Sequence, residues 1–376
     1  MFEIETLEID CTDEPIHKPI IDKVGMEIPI LNDGEVTYED FFKKIMLGNN
    51  CPCIIKNICG KWKAYNNWVL NNSINWNYFI ENYGEFEAPI ADCNKIDYNA
   101  QCKFIMKVKE FMEYLKLEKK EKILYLKDWH LKAKLKEINI INDFYEVPKY
   151  FASDWLNEYA EDNAEDDFQF VYIGPKDSWT PLHADVYTSY SWSVNIVGKK
   201  KWILFPPGEE EKLRDSLGNL PILFTSDKYE NIPYLEVIQE RGDGIFVPSG
   251  WHHQVFNLND TISINHNFIN SCNIEKVWNA LQNNLIDVEK EIEEFRDSPE
   301  YDNQCQLILK SIFGMDFKSF IKLIMHIADK RMNKVSFTVF DCYKFGHNHV
   351  MFDLKILYKI FNLIENHTLF VNSSSM

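Results

Sequence analysis

The chain has 376 residues, 45% of them hydrophobic and 14% aromatic, which is ample for a large core and argues against global disorder. At ~150 residues per domain this length suggests two units, or one core with an added subdomain. Lys and Arg number 40 against 58 Asp and Glu, a net charge of −18, which argues against non-specific binding to nucleic acid or an anionic membrane but leaves a basic polypeptide open as a partner.

The start, Met1-Phe2-Glu3-Ile4-Glu5, is acidic and has neither the basic nor the apolar region of a secretory signal. No run of ~18 uncharged apolar residues occurs. Even Phe313–Ile327 is cut by Asp316, Lys318 and Lys322. The 9 cysteines are odd in number and scattered. Their one cluster, Cys51-Pro52-Cys53 with Cys59, lacks a second Cys/His pair at zinc spacing, so reduced structural thiols are expected. The expectation is an intracellular protein, cytoplasmic or nuclear, with no membrane or nucleic-acid partner.

Residues 1–35 are acidic and Pro-containing and read as irregular. Residues 36–150 read as a helical and strand segment that packs on a core. In it Cys53-Ile54-Ile55 suits a short strand, and Trp62, Trp68, Trp76 and Tyr78 punctuate an Asn-rich stretch. Lys103–Lys136 holds 11 Lys against 5 acids, with Phe104, Val108, Phe111, Met112 and Leu115 at helical spacing, and reads as a solvated helix face. Ile123-Leu124-Tyr125-Leu126 reads as a strand. Asp154–Asp167 carries seven carboxylates and reads as a surface helix or loop. An acidic rim there, with Asp162, Asp166 and Asp167, would draw in a basic substrate.

From Phe168 short strand-like runs recur: Phe168–Ile173, His183–Val197, Lys200–Phe205, Gly244–Val247, Gln254–Asn257 and Thr261–Ile269. Turn signals such as Gly174-Pro175, Gly198, Pro206-Pro207-Gly208 and Gly242-Asp243-Gly244 separate them. The expected fold class is a mainly β core with helices, an antiparallel barrel or double-sheet jelly roll over 151–272. After Asn273 the pattern is helical: Val277, Leu281, Leu285 and Val288 keep a stripe, and 273–376 reads as a helical region with a frayed polar end at Asn366–Met376.

His183-Ala184-Asp185 lies in a strand-like run, where side chains at i and i+2 share a face, so one imidazole and one carboxylate converge. Pro248-Ser249-Gly250-Trp251-His252-His253 offers a third ligand. Two His and one carboxylate form the facial triad of non-heme Fe(II) oxygenases. Strand phase beside a turn leaves His252 and His253 both open. Lys199, Lys200 and Lys201 compete likewise: Lys200 is in phase with Trp202 and Leu204, Lys201 with Ile203 and Phe205.

Three ordered motifs, Trp179-Thr180-Pro181-Leu182-His183-Ala184-Asp185, Gly198–Pro207 and Gly242–His253, resemble the JmjC family of Fe(II)- and 2-oxoglutarate-dependent oxygenases. The likeness is strong over 168–270 and extends weakly to about 40 through Trp62-Lys63-Ala64 and Trp68. It implies a double-stranded β-helix, with iron on His183, Asp185 and His253, and His252 left to packing. It implies Lys200 for the distal carboxylate of 2-oxoglutarate, joined by Thr180 and contacted by Tyr125, and Asn267 as a polar residue near the metal. Ser193 stands where many relatives have Asn, Asn195 shares its face, and Asn265 stands where some relatives have Thr or Ser. These departures leave open which side chains hold the cosubstrate's C1 end, with Ser193 and Asn195 as candidates. His130 and His266 read as structural.

Within the family the chain is closest to the small hydroxylases. Phe170–Pro175, Ser191–Asn195 and Gly208–Arg214 resemble the lysyl hydroxylase of the eukaryotic release factor. The resemblance implies oxidative decarboxylation of 2-oxoglutarate by O2, coupled to hydroxylation of a lysine on a protein, the peptide chain release factor of translation termination being the expected partner. Two alternatives stay open: a histone N-methyl-lysine demethylase, and a catalytically silent JmjC-like binding module.

Overall fold

Alternation along the strands after Gln169 gives each of them two faces, and both faces are buried in Tyr190–Val197 and Gly244–Val247. The computed structural model describes residues 4–10, 27–98, 100–140, 144–229, 231–333, 340 and 342–367. Its strands are β1 (Glu5–Leu7), β2 (Ile30–Asn32), β3 (Cys53–Lys56), the short hairpin β4 (Val69–Leu70) and β5 (Ser73–Ile74), β6 (Glu87–Asp97), β7 (Ala100–Lys107), β8 (Leu124–Trp129), β9 (Gln169–Gly174), β10 (Trp179–His183), β11 (Tyr190–Val197), β12 (Lys200–Phe205), β13 (Leu235–Gln239), β14 (Gly244–Val247), β15 (His252–Asn257), β16 (Thr261–Phe268) and β17 (Tyr343–Phe345). The helices are α1 (Tyr38–Phe41), α2 (Lys63–Asn67), α3 (Trp76–Tyr83), α4 (Val108–Lys116), α5 (Leu131–Glu137), α6 (Trp155–Asn163), α7 (Ile274–Glu291), α8 (Tyr301–Phe313), α9 (Phe317–Met332) and α10 (His347–Glu365).

Two sheets carry the site. The smaller has the order β10-β15-β12-β13, and the larger β2-β3-β14-β11-β16-β9-β8-β6-β7. All pairs are antiparallel except β2 on β3. Trp202, Leu204 and Val255 of the smaller sheet pack against Ile54, Ile245 and Val247 of the larger, closing the jelly roll. On the other face of the larger sheet, Trp192, Val194, Ile262, Ile264 and Phe268 join the main core with the helices. Trp192 stacks there on Phe151 at 5.5 Å and on His266 at 4.1 Å between ring centres. The His266 Nε2 lies 2.7 Å from the Tyr145 hydroxyl, so this histidine serves the outer core.

The stripe Val277, Leu281, Leu285 and Val288 is buried along α7, each such side chain contributing ~1.5–3 kcal/mol. Arg331, near the end of α9, is fully buried and ties three helices together. It donates two bonds of 2.9 Å to Glu158 on α6 and one of 2.8 Å to Asp353 on α10. Beside it the His349 Nε2 is 2.7 Å from the Tyr38 hydroxyl.

The structure departs from the sequence reading in several places. Phe104 lies on edge strand β7 and is exposed, not on a helix; eight residues pair with β6, and the helix begins only at Val108. Long-range pairing here overrides helical spacing. The 183–197 run is broken after His183 by a tight turn at Val186–Thr188. Residues 1–35 contain two paired strands, β1 against β17 and β2 against β3. Strands β6 and β13 have no counterpart in that reading. The Asn366–Met376 end falls outside the described residues from 368 onward.

The carboxylates of Asp154–Asp167 are largely used internally. Asp154 is buried and caps α6 through Asn157, and burial pushes its carboxyl up to about 8. Glu158 is taken by Arg331, Asp162 by His326 and Lys330, and Asp167 by His130. The free acidic rim expected there is thus reduced.

Candidate metal centre

Strand β10 ends at His183, and Asp185 follows in extended backbone (φ −66°, ψ 146°). The next turn is strained: Tyr187 and Thr188, both non-glycine, hold φ of 58° and 55°. The Tyr187 ring fits beneath Gly314, where an added Cβ would meet it at 2.7 Å. His253 is the cross-strand partner of His183, with ring centres 4.3 Å apart. Ligand atoms of His183, Asp185 and His253 lie within 4.8 Å of one another, the one such cluster found among the described residues.

Each ring is oriented by backbone. His183 Nδ1 is 2.8 Å from the Pro181 carbonyl, and His253 Nδ1 is 3.0 Å from that of Trp251. A carbonyl only accepts, so both Nδ1 atoms carry the proton and both Nε2 atoms present a lone pair. Burial, then the imidazole of His253, holds His183 well below the usual histidine range, in the neutral form that binds a metal. Asp185 is clamped at both oxygens: Ser191 Oγ donates at 2.7 Å and Asn267 Nδ2 at 2.9 Å. Ser191 and Asn267 are register partners on β11 and β16, so one rung of the sheet sets the carboxylate.

Lys200 points into the same interior. It is 2% exposed, and its Nζ donates to Ser263 Oγ at 2.6 Å. Among the described residues no carboxylate stands within ion-pair distance of it, and burial pushes its ammonium down to about 7. Lys199 and Lys201 turn outward, to Glu240 at 3.0 Å and Glu236 at 3.5 Å. Tyr125 is fully buried with Asn257 and Thr180 beside its hydroxyl, and Asn257 is the register partner of Lys200. Thr180, Tyr125, Asn257 and Lys200 thus form one polar end of the interior.

Gly174 makes that end possible. A Cβ on it would meet Ser178 Oγ at 2.4 Å and Asn257 Nδ2 and Tyr125 Cδ2 at 2.6 Å. Gly174→Ala is expected to displace Tyr125 and Asn257. In calorimetric titrations it should weaken dicarboxylate binding while metal affinity stays; equal loss of both would point to general unfolding instead.

Ser193 and Asn195 share the inner face with Ser191. Among the described residues the Ser193 hydroxyl and the Asn195 Oδ1 are both buried without a partner, while the Asn195 Nδ2 donates to the Gly198 carbonyl at 3.0 Å. Ser193 is therefore the nearer to Asp185 by ~7 Å of strand. His252 faces outward, its Nδ1 3.4 Å from Glu210. His130 bonds Asp167 at 2.6 Å away from the triad. Cys51, Cys53 and Cys59 are buried free thiols, and burial raises all three. Sequence reasoning missed Ser191, Asn257 and Ser263. Ser191 had a signal, its phase with Ser193 and Asn195; the other two are placed only by long-range register.

No helix among the described residues is long and apolar enough to cross a membrane. A family model described as a cupin-like domain matches residues 38–274. The Danio rerio protein named 2-oxoglutarate and iron-dependent oxygenase JMJD4 is 42% identical over 364 residues, covering 89% of this chain and 85% of that protein. The Gallus gallus protein of the same name is 43% identical over 316 residues, 79% of this chain and 73% of its own length. An Arabidopsis thaliana protein named Arginine-specific demethylase JMJ20 is 37% identical over 321 residues, 78% and 68% of the two chains. By domain match and by identity across most of its length, the chain belongs to the cupin-like JmjC family in which the JMJD4 oxygenases stand.

Proposed function

We propose that the protein is an Fe(II)- and 2-oxoglutarate-dependent dioxygenase that hydroxylates a lysine of a protein substrate, the eukaryotic peptide chain release factor. The observation that carries this reading is the pairing of an N,N,O donor set at His183, His253 and Asp185 with a buried ammonium, Lys200, that has no carboxylate within ion-pair distance among the described residues. The donor set fits a facial iron site, and a buried lysine calls for an anionic ligand such as a dicarboxylate. Iron with 2-oxoglutarate would supply O2 activation and hydrogen abstraction, chemistry that belongs to the cofactor.

The chain's own part is to bind, orient and keep dry. The Pro181 and Trp251 carbonyls hold both imidazoles with Nε2 inward. Ser191 and Asn267 hold Asp185. Lys200, Tyr125 and Thr180 would take the distal carboxylate, and Ser193 is the nearer candidate for the C1 end. Trp202, Leu204, Val247 and Val255 wall the interior with apolar surface. Lys200→Met is expected to raise the 2-oxoglutarate requirement ~10- to 100-fold, the worth of a charged hydrogen bond, with metal affinity retained; succinate formation against cosubstrate concentration measures it.

The finer reading, lysyl hydroxylation of the release factor in the cytoplasm, is supported by the resemblance at Phe170–Pro175, Ser191–Asn195 and Gly208–Arg214. The test is mass spectrometry of the release factor after incubation with the iron-loaded protein and 2-oxoglutarate. One added oxygen on a lysine is expected. A lost methyl group, as the name of the Arabidopsis relative suggests for that protein, would favour a demethylase. Absence of succinate in every condition would leave a silent binding module.

A further inference from the structure

Lys127 is a second buried ammonium of the inner face, and neither the triad nor the Lys200 end accounts for it. Between Leu126 and Trp129 the register of β8 against β9 slips, so that Lys127 and Asp128 together oppose Tyr172. Asp128 adopts the left-handed region at φ 56° to allow this. A bulge re-aims side chains, and such bulges gather beside active sites. Asp128 is held by Tyr172 at 2.6 Å and by Lys103 at 2.5 Å.

Lys127 is turned in beside Tyr125, its Nζ 5.8 Å from that ring's centre. It is 7% exposed. Its hydrogen bond goes to a neutral amide, Gln101 Oε1 at 3.2 Å, and Gln101 is fixed in that orientation by its own donation to the Trp179 carbonyl at 3.1 Å. Among the described residues no carboxylate lies within ion-pair distance of Lys127. Through Gln101 it adjoins the Trp179 carbonyl at the start of β10, the strand that ends at His183, so it faces the same interior as Tyr125. An ammonium has three donors, and a neutral amide uses one.

Charge accounting says what the others are for. On the proposed reading, a divalent ion, Asp185, Lys200 and a dicarboxylate cancel one another, and the neighbouring Asp128 is balanced by Lys103, which leaves Lys127 with one positive charge in a low-dielectric interior. Neither metal nor cosubstrate supplies the missing anion. We propose that Lys127 is a substrate-binding residue that takes a carboxylate side chain of the protein substrate beside the metal centre. This rests on the oxygenase reading above and adds to it a sequence or surface preference: an acidic residue close to the modified side chain.

The test uses the full chain loaded with Zn(II), which cannot turn over, with and without 2-oxoglutarate. The probes are N-acetylglutamate methylamide and its neutral match, N-acetylglutamine methylamide, titrated by calorimetry and by shift of the thermal midpoint. The wild-type protein is expected to bind the glutamate probe about tenfold tighter than the glutamine probe. Lys127→Met should erase that difference and Lys127→Arg should keep it, with 2-oxoglutarate affinity unchanged in both. Equal binding of the two probes by the wild-type protein overturns the proposal, and so does a preference that survives Lys127→Met. A tenfold loss of 2-oxoglutarate affinity in Lys127→Met also overturns it, because Lys127 would then belong to the cosubstrate. If Lys127→Met does not fold, judged by circular dichroism, Lys127→Gln takes its place. Failure of the oxygenase reading would appear separately, as absence of succinate from the iron-loaded protein.

Discussion

Asp185→Ala is expected to abolish metal binding and 2-oxoglutarate turnover together. Asp185 is the one anionic member of the triad, and its removal leaves two neutral imidazoles facing the Ser191 hydroxyl and the Asn267 amide. The Ser191 hydroxyl then loses its acceptor and the Asn267 amide keeps only Ser189 Oγ at 3.1 Å, so a cation is opposed by donors rather than held by an anion. Loss of an outer partner of a metal ligand costs ~10- to 100-fold in metal affinity. Ser191→Ala and Asn267→Ala should each fall in that range, and Asp185→Ala should exceed it. Competition titration with Zn(II) against a chelator gives the affinities, and succinate release the turnover. Metal affinity within tenfold of wild type in Asp185→Ala would remove Asp185 from the centre.

Arg331→Ala is expected to destabilise the fold by ~3–5 kcal/mol, the cost of leaving buried charges unpaired. Glu158 would lose both of its 2.9 Å bonds and keep only Lys330 at 3.5 Å, Asp353 would lose its 2.8 Å bond and keep only His349 at 3.7 Å, and both side chains are almost wholly inaccessible to water. The triple change Arg331→Met, Glu158→Gln, Asp353→Asn should recover most of that loss, because the expense lies in the orphaned ions and not in the absence of a bridge. Urea unfolding followed by circular dichroism compares the three proteins. A loss below ~1 kcal/mol in Arg331→Ala would mean that water reaches the acids.

The metal centre was more legible in the sequence than its surroundings. His183 and Asp185 stand two apart in an extended stretch, and that local spacing is all their convergence needs. His253 and Lys200 required the family resemblance, because a turn and three consecutive lysines hide strand phase; in the structure the register of β12 on β15 sets Lys200 opposite Asn257 and Lys201 opposite Phe256. What stayed hidden depends on contacts distant in sequence. The bulge at Lys127-Asp128 exists only against Tyr172. The buried state of Glu158 exists only against Arg331. Phe104 looked helical by spacing, and β6 claimed it.

The strained turn after Asp185 bears on how such a catalytic core can be inherited. Tyr187 lies at the heart of that turn, with its ring against Phe168 and Phe313 and its edge under Gly314. Phe313 and Gly314, where α8 ends, therefore prop the loop that carries a metal ligand, although they come more than a hundred positions later in the chain. A cassette cut after residue 272 would keep every ligand and lose the prop. Recombination that swaps barrels between relatives would have to carry the C-terminal helices along, and a substitution at Gly314 would be felt first as a drifting carboxylate, far from where the change was made.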